Sequence, residues 1–405
     1  MRFLFMLGAG IVLFLGTSSV PAQKAKDQEK KPIIDTQIQD IGGKTLEQWI
    51  KEIPSLDRSR GENAIRTVLA FGPDRAFEAV HVLVAELKRQ THGNARLDVS
   101  ITVNAAIALG EILGGAEKPD PDVVNDAVKV LVILLRDPQA IVRYRSAEAL
   151  GKIGRRAKPA IGPLLSLLRD KAYPSSWESR QAAATALGFI ALDRDGKTGP
   201  SAEVVKGLYQ ALSDTSFQVR LAAIRSMTFV GTPANTSEKD RDAFLGYLKK
   251  ATLEKEDPTV RVWAHMAIMS ISHSMDIGDV KAICGMLKHR EMAGRVQAAQ
   301  ALAICGASAF ADDAQIKERN VLKSSIQPLI RSLDDKEPMV ALNCIIALTK
   351  MGKEGKKAIP ALREISRDMK RPEGLRQAAI QAADFLSGTT VQAPKENPKG
   401  NGIGK

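Results

Sequence analysis

Val142-Arg143-Tyr144-Arg145-Ser146-Ala147-Glu148-Ala149-Leu150-Gly151-Lys152-Ile153-Gly154 is the clearest copy of a thirteen-residue phrase that the chain carries nine times. With Arg143 as slot zero, the equivalent residues are Gly61, Thr102, Arg143, Arg180, Arg220, Arg261, Arg295, Ala341 and Arg376, at intervals of 34 to 46 residues. Slot +3 is small in every copy, from Ala64 and Ala105 to Cys344 and Ala379. Slot +6 is small as well, and slot +10 is apolar throughout. Gly closes the phrase at Gly72, Gly154, Gly231, Gly306 and Gly352. A period of roughly 40 residues marks a helical repeat array, in which no single copy can bury its apolar face alone.

At about 100° per residue, slots +3, +4, +6, +7 and +10 share one side of a helix. Small residues there let helix backbones approach, and the closing Gly can adopt the positive φ that ends a helix. Each phrase is therefore one helix, B. A second apolar segment, helix A, precedes it, as at Pro121 to Arg136 and Lys158 to Arg169. The first A helix spans Thr45 to Ile53 and is stopped by Pro54. Nine copies in register resemble HEAT repeats, and the shorter HEAT-like repeats of phycobilin lyases. The resemblance implies an all-α fold, an α-α superhelix: a right-handed solenoid of about nine helical hairpins over residues 44–388. It also implies a polar ladder between repeats, built from an Asp six residues before the Arg. Asp137 with Arg143 and Asp214 with Arg220 fit that spacing. Asp257 stands closer to Arg261, and Asp335 precedes Ala341 where the Arg is lost, so the ladder is expected to break toward the C-terminal end.

The ends have a different character. Arg2 is followed by an apolar run from Phe3 to Gly16, too short for a usual membrane span, and then by Val20-Pro21-Ala22. That is the pattern of a signal peptide, residues 1–22, cleaved near Ala22, with an uncleaved anchor as the alternative. It predicts an exported protein, periplasmic or secreted, with no membrane span in the mature chain. Residues 23–43 form a charged leader and 389–405 a polar Gly/Pro/Lys tail, both expected to be disordered. The net charge of +12 invites a nucleic-acid partner. Export and the dispersal of the charges over structural slots argue against one. Three cysteines make no disulfide framework. Cys305 and Cys344 occupy core slots, which predicts buried free thiols, with a Cys284–Cys305 disulfide as the alternative.

Catalytic patterns are missing from the sequence: no His-Glu-x-x-His, no P-loop, no Gly-x-Ser-x-Gly elbow and no zinc-finger spacing. No cofactor is implied. One stretch, 265–305, concentrates soft ligands: His265, Met266, Met269, His273, Met275, Cys284, Met286, His289, Met292 and Cys305. Sulfur with imidazole suits Cu(I), so a copper-like metal-handling role or an enzyme-accessory role is the alternative function. Helices that need apolar residues account for the same methionines. His265 takes slot +4, where the other phrases have small or aliphatic residues, so its ring needs a partner. A backbone group or Asp257 is expected.

Slots +2, +5 and +9 lie opposite the core side. The resemblance places B helices on the concave surface, so these slots should line a groove. Phe189, Phe229, Trp263 and Met266 come from three successive phrases and should form a strip, flanked by Arg145, Lys152 and Arg225. Aromatic residues beside Arg are the composition of binding hot spots. The alternative is that curvature or loops bury these rings. The sequence thus points to a non-enzymatic protein- or peptide-binding scaffold; it does not set the oligomeric state.

Overall fold

A computed structural model of the protein describes residues 39–92, 98–170, 177–191, 201–232, 236–310 and 316–388. The expected signal peptide, most of the leader and the tail lie outside these residues. The described helices divide into two compact units, 39–251 and 252–388.

The first unit opens with a two-residue antiparallel ladder, Asp40–Ile41 against Lys44–Thr45, turned by Gly42 and Gly43, both at positive φ. Residues 39–43 thus belong to the folded unit rather than to a disordered leader. The Trp49 indole N–H fixes the ladder by donating to the Ile41 carbonyl at 3.0 Å. Then come α1 (Leu46–Glu52), α2 (Arg58–Leu69), α3 (Pro73–Ala76), α4 (Val80–His92), α5 (Val99–Gly115) and α6 (Pro121–Leu134). These are followed by α7 (Ala140–Ile153), α8 (Ile161–Leu168), α9 (Trp177–Ala191), α10 (Ala202–Ala211), α11 (Phe217–Val230) and α12 (Glu238–Ala251). The second unit holds α13 (Pro258–Ser272), α14 (Ile277–Met286), α15 (Met292–Ala309), α16 (Ile316–Leu322), α17 (Ile326–Ser332), α18 (Pro338–Lys350), α19 (Ile359–Arg367) and α20 (Glu373–Ser387). The nine phrases fall on α2, α5, α7, α9, α11, α13, α15, α18 and α20, so the all-α hairpin solenoid read from the period is the observed fold class.

Local chemistry sets the helix limits. Asp98, Asp120, Ser201, Ser216 and Asp257 each cap a helix start by accepting from backbone N–H groups in the first turn. Pro121 and Pro258 occupy first helical positions, where a missing N–H costs nothing. Gly154 (φ 65°, ψ −137°) and Gly231 (φ 71°, ψ −152°) close α7 and α11 in a region only glycine enters at low cost. Gly306 differs: α15 runs through it to Ala309, and it serves close packing, since a Cβ there would meet Met351 at 3.3 Å.

The B helices are buried on most of their circumference. In α9, Arg180, Ala183, Ala184, Ala186, Leu187 and Ile190 are all buried. The A helices bury one stripe, as α10 does with Val204, Val205, Leu208 and Tyr209. Slot zero carries the polar part of the core. Arg143 Nη1 donates to the Asp137 and Pro138 carbonyls at 2.7 and 2.9 Å, tying the A–B turn to its own B helix. Arg220 does the same to Asp214 and Thr215. The carboxylates, however, serve the preceding repeat. Arg180 grips Asp214 through Nε and Nη2 at 2.8 and 3.0 Å, and Arg295 grips Asp335 at 2.7 and 3.1 Å. The ladder therefore links neighbours rather than one hairpin to itself. It also does not break at Asp335, because the arginine that matters there is Arg295 and not the residue at position 341.

Candidate functional site

In the first unit, α5, α7 and α9 lie side by side, and glycine sets their spacing. Gly110 and Gly151 at slot +8 face the small slot +6 residue of the next B helix. A Cβ on Gly110 would meet Ala149 Cα at 2.8 Å, and one on Gly151 would meet Ala186 Cα at 3.1 Å. Such close backbones leave shallow furrows above the contact, bordered by the longer side chains on either side.

Two cavities open there. One of about 280 Å³ lies between α7 and α9, lined by Tyr144, Glu148, Gly151, Lys152, Gln181, Thr185 and Phe189. The other, about 640 Å³, runs over the ends of α5 and α7, lined by Pro73, Glu111, Gly114, Lys152, Arg155, Arg156 and Phe189. Lys152 and Phe189 belong to both. Phe189 is 52% exposed and, unlike the more exposed Phe385, stands in the wall of both cavities. Lys152 Nζ pairs with Glu111 across neighbouring B helices at 2.6 Å, and Arg145 Nη1 with Glu148 at 2.8 Å on its own helix. Both pairs are solvent-accessible and each contributes about 0–1 kcal/mol to stability, so their charges remain available to a partner. Arg145 also sits over the Tyr144 ring, 4.9 Å from its centroid. Arg156 plays a structural part, donating to the Leu113 and Ala116 carbonyls at 2.7 and 3.3 Å where α5 ends.

The structure brings together Lys152 and Phe189 from the expected groove, while Arg145 lines neither cavity and contacts the lining residues Glu148 and Tyr144. Arg225 and Phe229, on α11, are half-buried, and burial holds the Arg225 pKa below its usual value. Trp263 and Met266 do not belong to an exposed strip. Trp263 is fully buried in the second unit, and its indole N–H donates to Gln297 Oε1 at 2.6 Å. Met266 is buried with its sulfur 3.5 Å from Cys305 Sγ. Sequence reasoning missed Tyr144 and Gln181, at slot +1. That slot lies between the core and the open face and shows no periodic preference.

The fold gathers the soft-ligand stretch only in part: Met266 Sδ lies 3.5 Å from Cys305 Sγ, and His265, Met286 and His289 line one cavity. His265 Nδ1 lies 2.7 Å from Asp279 Oδ1 on α14, not on Asp257, which caps α13. His289 Nδ1 accepts from the Glu291 N–H. Cys284, Cys305 and Cys344 are free, and burial pushes all three thiols up to about 12. Among the described residues no three His, Cys, Asp or Glu side chains converge as a metal cage. No helix there is long and apolar enough to cross a membrane.

The profile of the PBS lyase HEAT-like repeat matches residues 142–170, from the opening quotation through α8. Kap121p, in its crystal structure with Pho4p, is similar over 85% of this chain and 40% of its own, at 14% identity and a TM-score of 0.52. The fold of the chain is that of a HEAT-like repeat array, and residues 142–170 match the repeat itself. This HEAT-like chain thus spans well under half the length of Kap121p. The karyopherin Kap121p bound to the SUMO protease Ulp1p aligns over the same shares at a TM-score of 0.51. The complex of CpcE and CpcF of phycocyanin lyase from Nostoc sp. PCC7120 is matched over 92% of this chain and 100% of that one, at 16% identity and a TM-score of 0.41. No curated protein matches the sequence.

Proposed function

We propose that this HEAT-like repeat protein is a non-enzymatic scaffold, acting outside the cytoplasm, that holds a segment of a protein or peptide along the α5–α7–α9 furrow. The observation that carries the proposal is Phe189, half in solvent and shared by two adjoining cavities. An apolar partner side chain would cover the ring. Polar groups of the same segment would meet Gln181 and Thr185 on one side and the Lys152–Glu111 pair on the other. A rigid aromatic ring ringed by polar and charged groups is the composition in which binding energy concentrates. Kap121p, of the same fold, holds protein partners, Pho4p and Ulp1p, in its crystal structures. The extracytoplasmic part rests on the apolar run Phe3 to Gly16 and its small-residue boundary.

A displayed random-peptide library, panned on the purified chain and on Phe189→Ala, tests this. The wild type should enrich a common motif containing an aliphatic or aromatic residue. The variant should bind synthetic versions of it at least about tenfold more weakly, the loss of roughly 1.4 kcal/mol or more usual for an anchor. Phe189 is exposed, so its removal should leave the thermal midpoint unchanged. Absence of an enriched motif, or equal affinity for both proteins, rejects the furrow as the binding site.

A further inference from the structure

Arg261 occupies slot zero of the sixth phrase, and its surroundings differ from those of its equivalents. Arg180 and Arg295 each grip a carboxylate of the following repeat, Asp214 and Asp335. Both acids stand six residues before slot zero of their own phrase. The phrase after Arg261 has slot zero at Arg295, and six residues before it stands His289. An acid holds that position at Asp137, Asp214 and Asp335; here the chain has an imidazole, as it has Lys255 six residues before Arg261 itself.

No other acid takes that place. Asp257 spends its carboxylate on the N-cap of α13, accepting from the Thr259 and Val260 N–H groups at 2.8 and 3.4 Å and from the Thr259 hydroxyl. Asp279 holds His265. Among the described residues the Arg261 side chain makes no hydrogen bond or ion pair, and its Nε is buried without a partner. A buried charge-bearing donor left so is destabilising.

Arg261 lines a cavity of about 610 Å³ with His265, Lys288, His289, Arg290 and Glu254. Three fixed positive charges line it with Glu254, and Arg290 also stands 3.7 Å from Glu291 Oε1. His289 Nδ1 accepts the Glu291 N–H at 3.1 Å, which leaves Nε2 as the donor of the neutral ring. The wall is therefore rich in donors and carries a net positive charge. A phosphate, with a charge of about −1.5 to −2 near neutral pH, is drawn to it more strongly than a lone carboxylate and offers the oxygen pair that a guanidinium fork prefers.

We propose that Arg261, Lys288, His289 and Arg290 bind a phosphate-class oxyanion, which takes the place that Asp214 and Asp335 fill on two other rungs. The site lies within the second unit and does not depend on the Phe189 furrow.

Calorimetric titration of the full chain with inorganic phosphate is the test, with O-phosphoserine and acetate as parallel arms at matched ionic strength. One saturable site for phosphate or phosphoserine is expected, with acetate at least tenfold weaker. Tighter binding of phosphoserine would make a phosphomonoester the preferred source, and tighter binding of phosphate the free ion. Arg261→Gln should abolish binding. His289→Asp supplies the missing acid from within, so it should also abolish binding while raising the thermal midpoint by roughly 2–4 °C. If Arg261→Gln fails to fold, Lys288→Gln with Arg290→Gln replaces it, both positions being exposed; a loss of at least tenfold is then expected. Phosphate near a hundred times its Kd should raise the wild-type midpoint by roughly 5–10 °C. The general salting-out effect of phosphate would persist in the variants, so only the difference between proteins counts. No saturable binding, acetate bound as well as phosphate, or binding unchanged in His289→Asp would overturn the proposal.

Discussion

Single carboxylates in this chain owe their energetics to which neighbour reaches them. Asp214 and Arg180 are nearly buried, with side chains 11% and 5% exposed. Burial pushes the Asp214 carboxyl up, but the Arg180 hydrogen bonds, the Ser216 N–H and the nearby arginines outweigh it, and its pKa lies below the usual value. Asp137 stands at the corresponding position two phrases earlier, and the phrase before its own has Thr102 in slot zero instead of arginine. Its burial is only partly offset by the Gln139 N–H and Arg143, and its pKa is raised. The two acids therefore contribute with opposite sign. Stability from Asp214 is fully present above the unfolded pKa near 3.8 and is lost as pH falls through its lower folded value. Stability from Asp137 is fully present below 3.8 and is lost as pH rises through its higher folded value. Asp214→Asn should cost about 2–3 kcal/mol at pH 7, chiefly through the stranded guanidinium. Asp137→Asn, which keeps the acceptor for Gln139, should be neutral or slightly stabilising. Urea melts between pH 3 and 7 decide this; equal losses from both substitutions would refute the ladder's role. The position of these acids and the inter-repeat ladder were legible from the resemblance, but the arginine each acid meets was not, because the spacing was counted to the Arg of its own phrase while Asp214 meets Arg180 of the one before.

A B helix needs one face that admits another backbone, and the phrase declared this through its small residues at slots +3 and +6. Their partner at slot +8 went unread because it is Gly only at Gly110, Gly151 and Gly188, so no nine-fold pattern announces it. The consequence is measurable by comparing two glycines. Gly→Ala in a helix interior is worth about 0.8–1.0 kcal/mol in propensity. At Gly246 on α12 nothing lies within 4 Å of the added Cβ, so Gly246→Ala should stabilise by about that amount. At Gly110 the Cβ would stand 2.8 Å from Ala149 Cα, a backbone atom that cannot swing aside. Gly110→Ala should therefore destabilise by about 1–3 kcal/mol despite its better propensity. Chemical denaturation of both variants checks the sign, and stabilisation at Gly110 would mean that α5 and α7 can separate freely. Trp263 illustrates the opposite limit of periodicity. Slot +2 points away from the core of its own hairpin, yet Gln297 on the next B helix accepts its indole N–H, and the ring is buried. Helical phase locates a face; it does not state what covers that face.

Across the whole chain, the number of hairpins followed from the period and the fold class followed with it. The division into units at 251/252 did not, since it falls between the A and B helices of one period and leaves the spacing regular. Of the expected groove, Phe189 and Lys152 were readable because slot +9 faces outward in both phrases, while the same rule failed at Ser270 and Ile304, which are buried. A repeat array is held by contacts between neighbours, so its repeats should open in order from an end rather than all at once. The second unit carries its own reporters. Cys284, Cys305 and Cys344 are buried thiols whose pKa is pushed up to about 12, so at pH 8 only roughly one part in ten thousand is thiolate. Native protein should therefore react slowly with a disulfide reagent, and about tenfold faster per pH unit. Cys284, in the wall of a cavity of about 260 Å³, should react first and with little dependence on urea. Cys344 on α18 lies one hairpin nearer the final helix α20 than Cys305 on α15. If the stack frays from that end, Cys344 becomes accessible at a lower urea concentration than Cys305, and mass-resolved labelling will separate the two transitions. Coincident transitions would mean that residues 252–388 open as a single cooperative body, with inter-repeat contacts stronger than the repeats they join.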